Sequence, residues 1–430
     1  MKKILKTQII KLRNKILQSP SLRNKITSAL NHYPNLKIRL KGLTSQNIHY
    51  EHWLPSREKN ELLVDVSHIY KEDLRTGIQR VVRAVLHYLE NTSLELDLQP
   101  IYLTDEDGYW CYKYVKSPKT IVVPKQGDIF LGLDLNKMIY APNQSGLLKD
   151  WETRGIAINF LVYDILPIQF PQFYTQDVSI FYRLWLNTVI RYSSKLICIS
   201  QTVCNDVKKY INENKEQFLT IPKVNWFHLG ADIKNTQQTN GIPSNADKII
   251  SNLQIIPSFL IVSTIEPRKA HKQTLEAFER LWAKEIDVSL VIVGKLGWMM
   301  DEFKTRIQTH PELNKRLYWL KDISDAYLEK IYSASTCLIA PSIAEGFGLP
   351  LIEAAQYKKP IIARDIPIFR EVAGEYAYYF KDSNDPKTIV ASIENWLELY
   401  KKDLQPKSDT MQWLTWKEST RQLIKCMMDN

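Results

Sequence analysis

The chain has 430 residues, a length that predicts two or three domains. Hydrophobic residues make up 44% of it and charged residues 24%, which supports a sizeable core and argues against disorder. The formal net charge is +10, but residues 1–43 hold eleven Lys and Arg and no acidic residue; without those eleven charges the rest of the chain carries −1. This distribution argues against a nucleic-acid groove in the body of the protein.

The cysteines are five in number and scattered, without a Cys-x-x-Cys spacing. This pattern suggests neither a disulfide framework nor a zinc site, and a reducing cytoplasm fits it best. No run of about 18 uncharged apolar residues is found, so we expect no membrane-spanning helix.

The basic segment predicts a helical extension over residues 1–60. Leu5, Ile9, Leu12 and Ile16 recur at helical spacing with cations between them, and Pro20 ends the pattern. Such a basic amphipathic helix can bind an anionic membrane surface, to which each cation contributes about 1 kcal/mol. The alternative is a solvated helix that docks on its own protein, and both interpretations stay open.

From residue 61 the pattern alternates between strands and helices. In the first block, the predicted strands are Leu62–Val66, Asp128–Leu133, Ile156–Val162, Leu196–Ile199 and Val224–His228. The predicted helices of this block are Ile78–Leu89, Gln172–Ser193 and Val203–Ile211. Polar residues then gather over 231–252, which predicts a linker.

A second block repeats the alternation. Its predicted strands are Phe259–Val262, Val288–Val293, Arg316–Leu320, Cys337–Ala340 and Pro360–Ala363. Its predicted helices are His271–Ala283, Met300–Thr309, Asp325–Tyr332 and Pro350–Gln356, followed by two long ones near 386–401 and 411–428.

These patterns predict an α/β protein with two Rossmann-like, doubly wound parallel sheets. We expect one domain over 61–233 and a second over 250–385, with C-terminal helices over 386–430 that cross back to the first domain. Ligands of such sheets bind at the carboxyl ends of strands. The chemistry should therefore be carried by residues that directly follow strands.

The segment after strand Cys337–Ala340 is the most informative one. It reads Glu345-Gly-Phe-Gly-Leu-Pro-Leu-Ile-Glu353, with two carboxylates eight residues apart around a glycine-rich turn. Glycines let a ligand approach the backbone, and a proline suits the first turn of a helix whose N-terminal amides attract anions. The alternative is a glycine-rich strand–helix turn with an acidic residue that favours the helix dipole. Glu353 alone leaves both interpretations open, whereas the whole segment favours a ligand site.

The segment resembles the E-x7-E signature of glycosyltransferase family 4, whose fold is called GT-B. Further stretches resemble the same family in the right order: Ser263-Thr-Ile-Glu-Pro-Arg-Lys269, Val291-Ile-Val-Gly294, Asp365-Ile-Pro-Ile-Phe-Arg-Glu371 and Trp413-Leu-Thr-Trp416. In the first half, Thr76-Gly-Ile-Gln-Arg80 and Tyr163-Asp-Ile-Leu-Pro167 resemble a subgroup of bacterial polysaccharide mannosyl- and rhamnosyltransferases. The resemblance covers residues 61–430.

The resemblance implies two domains that face a cleft and a donor site in the second half. Arg268 and Lys269 would stabilise the diphosphate of a nucleotide sugar, because guanidinium and ammonium groups match phosphate oxygens. Glu353 would hold the ribose hydroxyls. The donor sugar would be bound by Glu345, Gly346, Phe347, Gly348 and Leu349.

The first half carries two further candidates. Gly77 would let its loop approach the donor phosphate, or it merely opens a helix. Asp164 would orient the acceptor hydroxyl as a catalytic residue alongside Glu345, Arg268 and Lys269, or it only caps a turn. The family usually has His where Tyr163 stands. His228 and His271 also follow strands, and a lone His is more often structural than functional.

The function implied by the resemblance is a retaining, metal-independent glycosyltransferase on the cytoplasmic face of the plasma membrane. Its donor would be GDP-mannose or a deoxysugar nucleotide, and its acceptor a glycan or lipid-linked saccharide in surface polysaccharide (O-antigen or capsule) biosynthesis. No cofactor or metal is expected besides the nucleotide sugar as co-substrate, because protein cations would replace the metal. Two alternatives stay open: a GT-B enzyme that modifies a nucleotide sugar, such as a 2-epimerase, and a non-catalytic GT-B binding module.

Overall fold

The structure is a computed structural model that describes residues 57–73, 76–106, 109–140, 146–232 and 239–429. The predicted basic extension lies outside these residues except for 57–60. The chain divides into two compact units: unit 1 is Met1–Glu72 with Ser93–Ile158, and unit 2 is Asp73–Thr92 with Asn159–Asn430. The domain boundaries expected at 61–233 and 250–385 remain predictions.

The described residues form strands and helices that alternate along most of the chain. The strands are β1 (Glu61–Asp65), β2 (Asp97–Glu106), β3 (Tyr109–Tyr114), β4 (Ser117–Ile121), β5 (Ile129–Gly132), β6 (Ala157–Val162), β7 (Lys195–Cys198), β8 (Lys223–Trp226), β9 (Ser258–Val262), β10 (Ser289–Val293), β11 (Leu317–Leu320), β12 (Cys337–Ala340), β13 (Ile361–Arg364) and β14 (Tyr378–Phe380).

The helices come between these strands and after the last one. They are α1 (Ser67–Lys71), α2 (Gly77–Glu90), α3 (Leu147–Thr153), α4 (Leu166–Gln169), α5 (Gln176–Tyr192), α6 (Gln201–Glu213), α7 (Ala246–Leu253), α8 (His271–Ala283), α9 (Asp301–Gln308), α10 (Asp325–Ala334), α11 (Leu349–Gln356), α12 (Pro367–Ala373), α13 (Pro386–Lys401) and α14 (Trp416–Met428).

Unit 1 contains strands in the order β4-β3-β2-β1-β5. Strand β1 pairs in parallel with β2 and β5, and all five of its residues are buried. Strand β3 runs antiparallel to β2 and β4. The sequence pattern had not indicated β2, β3 and β4. In β4, four of the five residues are exposed, so this strand lacks the apolar run of a buried strand.

Unit 2 contains the parallel neighbours β6, β7 and β8 and a six-stranded sheet in the order β11-β10-β9-β12-β13-β14. All pairs in the six-stranded sheet are parallel. The chain leaves β9 towards β10 on one side and returns to β12 on the other. Parallel sheets bind ligands where the strand order reverses in this way, so the segments that follow β9 and β12 occupy the expected position for a site.

The predicted α/β class with two parallel sheets is confirmed, and most element bounds agree within a few residues. The helix expected from Gln172 begins at Gln176, because Pro171–Phe173 forms a separate 3-10 turn. The last helix begins at Trp416 rather than near 411, because Thr415 and Glu418 form a capping box there. Helix α7 occupies the end of the predicted linker, so that part of the linker prediction was wrong.

Helix α14 packs close to strands β7 and β8. The Ser419 hydroxyl donates to the His228 carbonyl at 2.7 Å, and the Lys195 ammonium donates to the Met427 carbonyl at 2.8 Å. Within the described residues, no helix is long and apolar enough to cross a bilayer. The five cysteines are free thiols.

Candidate functional site

The turn after β9 presents Arg268 and Lys269. Strand β9 is buried, and Pro267–Lys269 forms a 3-10 turn that ends at Ala270, whose φ of 55° lies in the left-handed region. The Ile343 amide donates to the Arg268 carbonyl at 2.8 Å. This bond ties the turn after β9 to the loop after β12, so the two predicted halves of the site lie side by side.

The loop after β12 needs its two glycines for different reasons. Gly348 has a φ of 98° and precedes α11, whose first turn contains Pro350. A Cβ at Gly346 would lie 2.4 Å from the Tyr163 carbonyl oxygen, so only glycine fits there. The Ser200 hydroxyl donates to the Gly346 carbonyl at 2.9 Å. Phe347 is buried, and Leu349 is the first residue of α11.

Glu345 is held by both cations of the β9 turn. Arg268 Nη1 lies 3.0 Å from Glu345 Oε2, and Lys269 Nζ pairs with Glu345 Oε1. Burial alone raises the pKa of Glu345, but Lys269 and Arg268 outweigh burial and lower that pKa to about 2. Glu345 therefore stays ionised and fixes two buried cations, an arrangement that suits an anionic ligand with hydroxyl groups.

Asp164 lies against the same cluster. Its side chain accepts the Leu166 amide at 3.1 Å, as a turn cap would, and its Cβ is 3.2 Å from the position of a Cβ at Gly346. Burial raises the pKa of Asp164, and the nearby Arg268 opposes this rise. The structure thus brings Asp164 to the loop of Glu345, whereas its catalytic role stays a prediction.

Glu353 has different partners from Glu345. It lies in the second turn of α11 and is buried. Arg80, from the first turns of α2, pairs with Glu353 Oε1, and the Tyr332 hydroxyl donates to Glu353 Oε2 at 2.7 Å. A carboxylate offers about four lone pairs, so this one can still accept bonds from a ligand's hydroxyls.

Gly77 opens α2, the helix that carries Arg80. Thr76 caps this helix, and its side chain and that of Gln79 form a capping box. A Cβ at Gly77 would meet no atom within 4 Å. The space beside Gly77 is consistent with an approaching ligand, and the expected contact with a donor phosphate stays a prediction.

The two histidines take separate places. His271 is completely buried, its Nε2 lies 3.3 Å from the Ser263 hydroxyl, and burial with the Lys269 charge lowers its pKa to about 3. His228 Nε2 lies 2.8 Å from Glu371 Oε1, and its ring meets that of Phe347 edge to face at 5.5 Å. His228 thus supports the loop through Phe347, while His271 belongs to the core beneath the β9 turn.

Arg80 and Tyr332 are the partners that sequence reasoning did not assign to the site. Arg80 belongs to the stretch that resembles the transferase subgroup, but its distance of 273 positions from Glu353 hides the pair. Tyr332 lies on the buried face of α10, where the pattern marks it as a core residue. Only a signal that links distant positions could have revealed either contact.

No group of three or more His, Cys, Asp or Glu side chains that could hold a metal ion is found within residues 57–429, as far as the structure describes them.

Solved structures share this fold. The crystal structure of Anabaena HepE in complex with UDP and glucose superposes with a TM-score of 0.60 at 13% identity, over 86% of this chain and 100% of that one. At this identity the likeness concerns the fold alone. The fold is that of the GT-B glycosyltransferases, as the sequence predicted.

Residues 255–413 match the family model described as glycosyl transferases group 1. Serotype-specific mannosyltransferase WbdA of Escherichia coli is 38% identical over 383 residues, which are 86% of this chain and 46% of that protein. O-antigen chain mannosyltransferase RfbU of Salmonella typhimurium is 26% identical over 234 residues, which are 54% of this chain and 59% of that protein.

The chain spans about half the length of the curated relatives that it matches. The resemblance to bacterial polysaccharide mannosyltransferases is confirmed.

Proposed function

We propose that this protein is a glycosyltransferase that moves a hexose from a nucleotide-diphosphate sugar to a glycan acceptor in surface polysaccharide biosynthesis. The observation that carries the proposal is the convergence of Arg268 and Lys269 on Glu345, at the carboxyl ends of β9 and β12. The names of the relatives, a serotype-specific mannosyltransferase and an O-antigen chain mannosyltransferase, support the choice of reaction.

The two cations would receive the donor's diphosphate. A leaving nucleoside diphosphate gains negative charge in the transition state, and preorganised cations stabilise that charge by several kcal/mol. Both side chains are largely buried, with 14% and 13% of their surface exposed, so water screens them weakly. Because protein cations can do the work of a metal, the transfer is proposed to be metal-independent.

The two carboxylates would bind hydroxyl groups. Glu345 and the backbone of Gly346–Gly348 would hold the donor sugar, and Glu353 the ribose, through the lone pairs that Arg80 and Tyr332 leave available. No carboxylate is assigned as a nucleophile. We propose retention of configuration through a same-face displacement, in which the leaving phosphate takes the acceptor proton and Asp164 orients the acceptor hydroxyl.

The proposed donor is GDP-mannose, since the relatives above are mannosyltransferases. The proposed acceptor is a glycan, free or lipid-linked. The basic residues 1–43 are proposed to hold the protein on an anionic membrane surface. Replacing Lys2, Lys3, Lys6 and Lys11 with Gln should move the protein from the membrane to the soluble fraction, while an unchanged distribution would refute the membrane contact.

The experiment that tests the function is a screen of GDP-, UDP- and dTDP-sugars with purified protein. Release of the nucleoside diphosphate is measured with and without a mannoside acceptor, in wild type, Arg268→Ala and Glu345→Gln. The proposal expects release that the acceptor accelerates and that both substitutions abolish. Acceptor-independent conversion of the donor would favour an epimerase-like enzyme, and no binding of any donor would favour a non-catalytic binding module.

A further inference from the structure

Aromatic side chains of two loops meet beside the charged cluster. The ring of Trp298 stacks on that of Tyr174, with centroids 5.6 Å apart and planes inclined by 30°. The Trp298 indole N–H donates to the Phe173 carbonyl at 2.8 Å. We call the stacked side chains of Tyr174 and Trp298 the aromatic strip.

The strip adjoins the residues that carry the proposed reaction. The loop after β10 is fixed to the loop after β9 by the bond from the Gly297 amide to the Ile265 carbonyl at 2.9 Å. A Cβ at Gly297 would lie 2.9 Å from Glu266 Cγ, and Glu266 pairs with Arg268 Nε at 3.1 Å. Trp298 therefore directly follows Gly297, the residue that packs against the partner of Arg268.

Tyr174 lies close to the same charges. Burial raises the pKa of its phenol, and Arg268, Asp164, Glu266 and Glu345 all act on it electrostatically. The Tyr174 end of the strip is thus within electrostatic reach of the cluster, while Trp298 at the other end remains 38% exposed. An exposed, stacked indole on a fixed loop is a surface that a ligand can cover.

We propose that the aromatic strip is an acceptor subsite that packs against the apolar C–H face of a pyranose ring. This inference rests on the proposed function. A pyranose has hydroxyls at its edge and C–H groups on its faces, so a flat aromatic surface with carboxylates at one end matches both. Asp164 and Glu266 act electrostatically on the Tyr174 phenol, which indicates that carboxylates lie near this end of the strip.

The test measures transfer from GDP-mannose to an α-linked methyl mannobioside. Trp298→Ala is expected to raise the acceptor KM about tenfold, and Trp298→Phe, which keeps an aromatic face, should stay within about threefold of wild type. The donor KM and the acceptor-independent hydrolysis of GDP-mannose should change less than about twofold, because the donor residues are untouched.

Met299→Ala is the matched control, because Met299 is the exposed neighbour of Trp298 and lies outside the strip. An acceptor KM equal to wild type in Trp298→Ala, or equal rises of donor and acceptor KM, would overturn the subsite. If the wild-type protein releases no nucleotide from any donor, the proposed function fails on its own. The subsite is then decided by calorimetric titration with the mannobioside, which should bind wild type and not Trp298→Ala.

Discussion

Glu345 and Glu353 belong to one nine-residue segment, yet the protein balances their charges in different ways. Glu345 meets two cations, Arg268 and Lys269, which come from the neighbouring strand end 77 and 76 positions earlier. Glu353 meets one cation, Arg80, from 273 positions away, together with the hydroxyl of Tyr332. This difference shows that the signature segment supplies the two carboxylates, whereas the groups that balance their charges come from elsewhere in the chain.

The comparison predicts unequal costs when each carboxylate is neutralised. Glu345→Gln removes the carboxylate that two buried cations share and leaves Glu266 as the remaining ion-pair partner of Arg268, so it should lower the free energy of unfolding by about 4 kcal/mol. Glu353→Gln leaves one cation, so about 2 kcal/mol is expected. Urea unfolding of both variants at neutral pH measures the difference, and an equal or larger loss for Glu353→Gln would contradict the account.

Gly346 and Gly77 should respond differently to replacement by alanine. A Cβ at Gly346 meets the Tyr163 carbonyl at 2.4 Å, so Gly346→Ala should cost about 3 kcal/mol of unfolding free energy. Gly77→Ala meets no atom and should leave stability within about 1 kcal/mol of wild type.

Thermal unfolding compares their stabilities, and donor KM is measured for Gly77→Ala. A raised donor KM at normal stability would support the predicted approach of the phosphate to Gly77. An unchanged KM would remove Gly77 from the donor site.

The Arg80–Glu353 pair should show a coupling free energy of about 2 kcal/mol. The side chain of Arg80 is 21% exposed and that of Glu353 2%, so solvent screens the pair weakly. A double-mutant cycle of Arg80→Met and Glu353→Gln, followed by urea unfolding, isolates the coupling. Additive effects within about 0.5 kcal/mol would show that the two side chains do not support each other.

His271 should give the smallest effect, a loss of stability in mild acid. Its pKa is lowered from 6.5 to about 3 in the folded protein, so the unfolded chain takes up the proton first. The neutral, buried His271 ring therefore contributes to the free energy of unfolding above pH 6.5, and this contribution is lost as the pH falls towards 3. Between pH 7 and pH 5.5 this proton should cost about 1 kcal/mol.

His271→Gln removes that titrating group and serves as the comparison. The wild-type protein should lose about 1 kcal/mol more than the variant over this pH range, whatever the variant's stability at pH 7. Identical pH slopes for the two proteins would show that His271 titrates in the same way when folded and unfolded.

The sequence predicted the parallel sheets because buried parallel strands are continuous apolar runs such as β9 and β12. It also placed Arg268, Lys269 and Glu345 after strands whose ends lie together. It could not predict the contact of Gly346 with Tyr163, or that of Glu353 with Arg80, because both depend on tertiary packing between distant segments. The exposed strand β4 could not be predicted for a local reason, because it has no buried face that would give an apolar pattern in the sequence.

The central claim is that the turn after β9 binds a nucleotide's diphosphate, and calorimetric titration tests it most directly. GDP, UDP and dTDP are titrated into wild type, Arg268→Ala and the control Lys295→Ala, whose side chain is exposed and pairs with Asp322. We predict that the tightest nucleotide loses about a hundredfold in affinity in Arg268→Ala, with GMP, UMP or dTMP much less affected, and loses nothing in the control. Equal affinity of all three proteins for every diphosphate would contradict the claim.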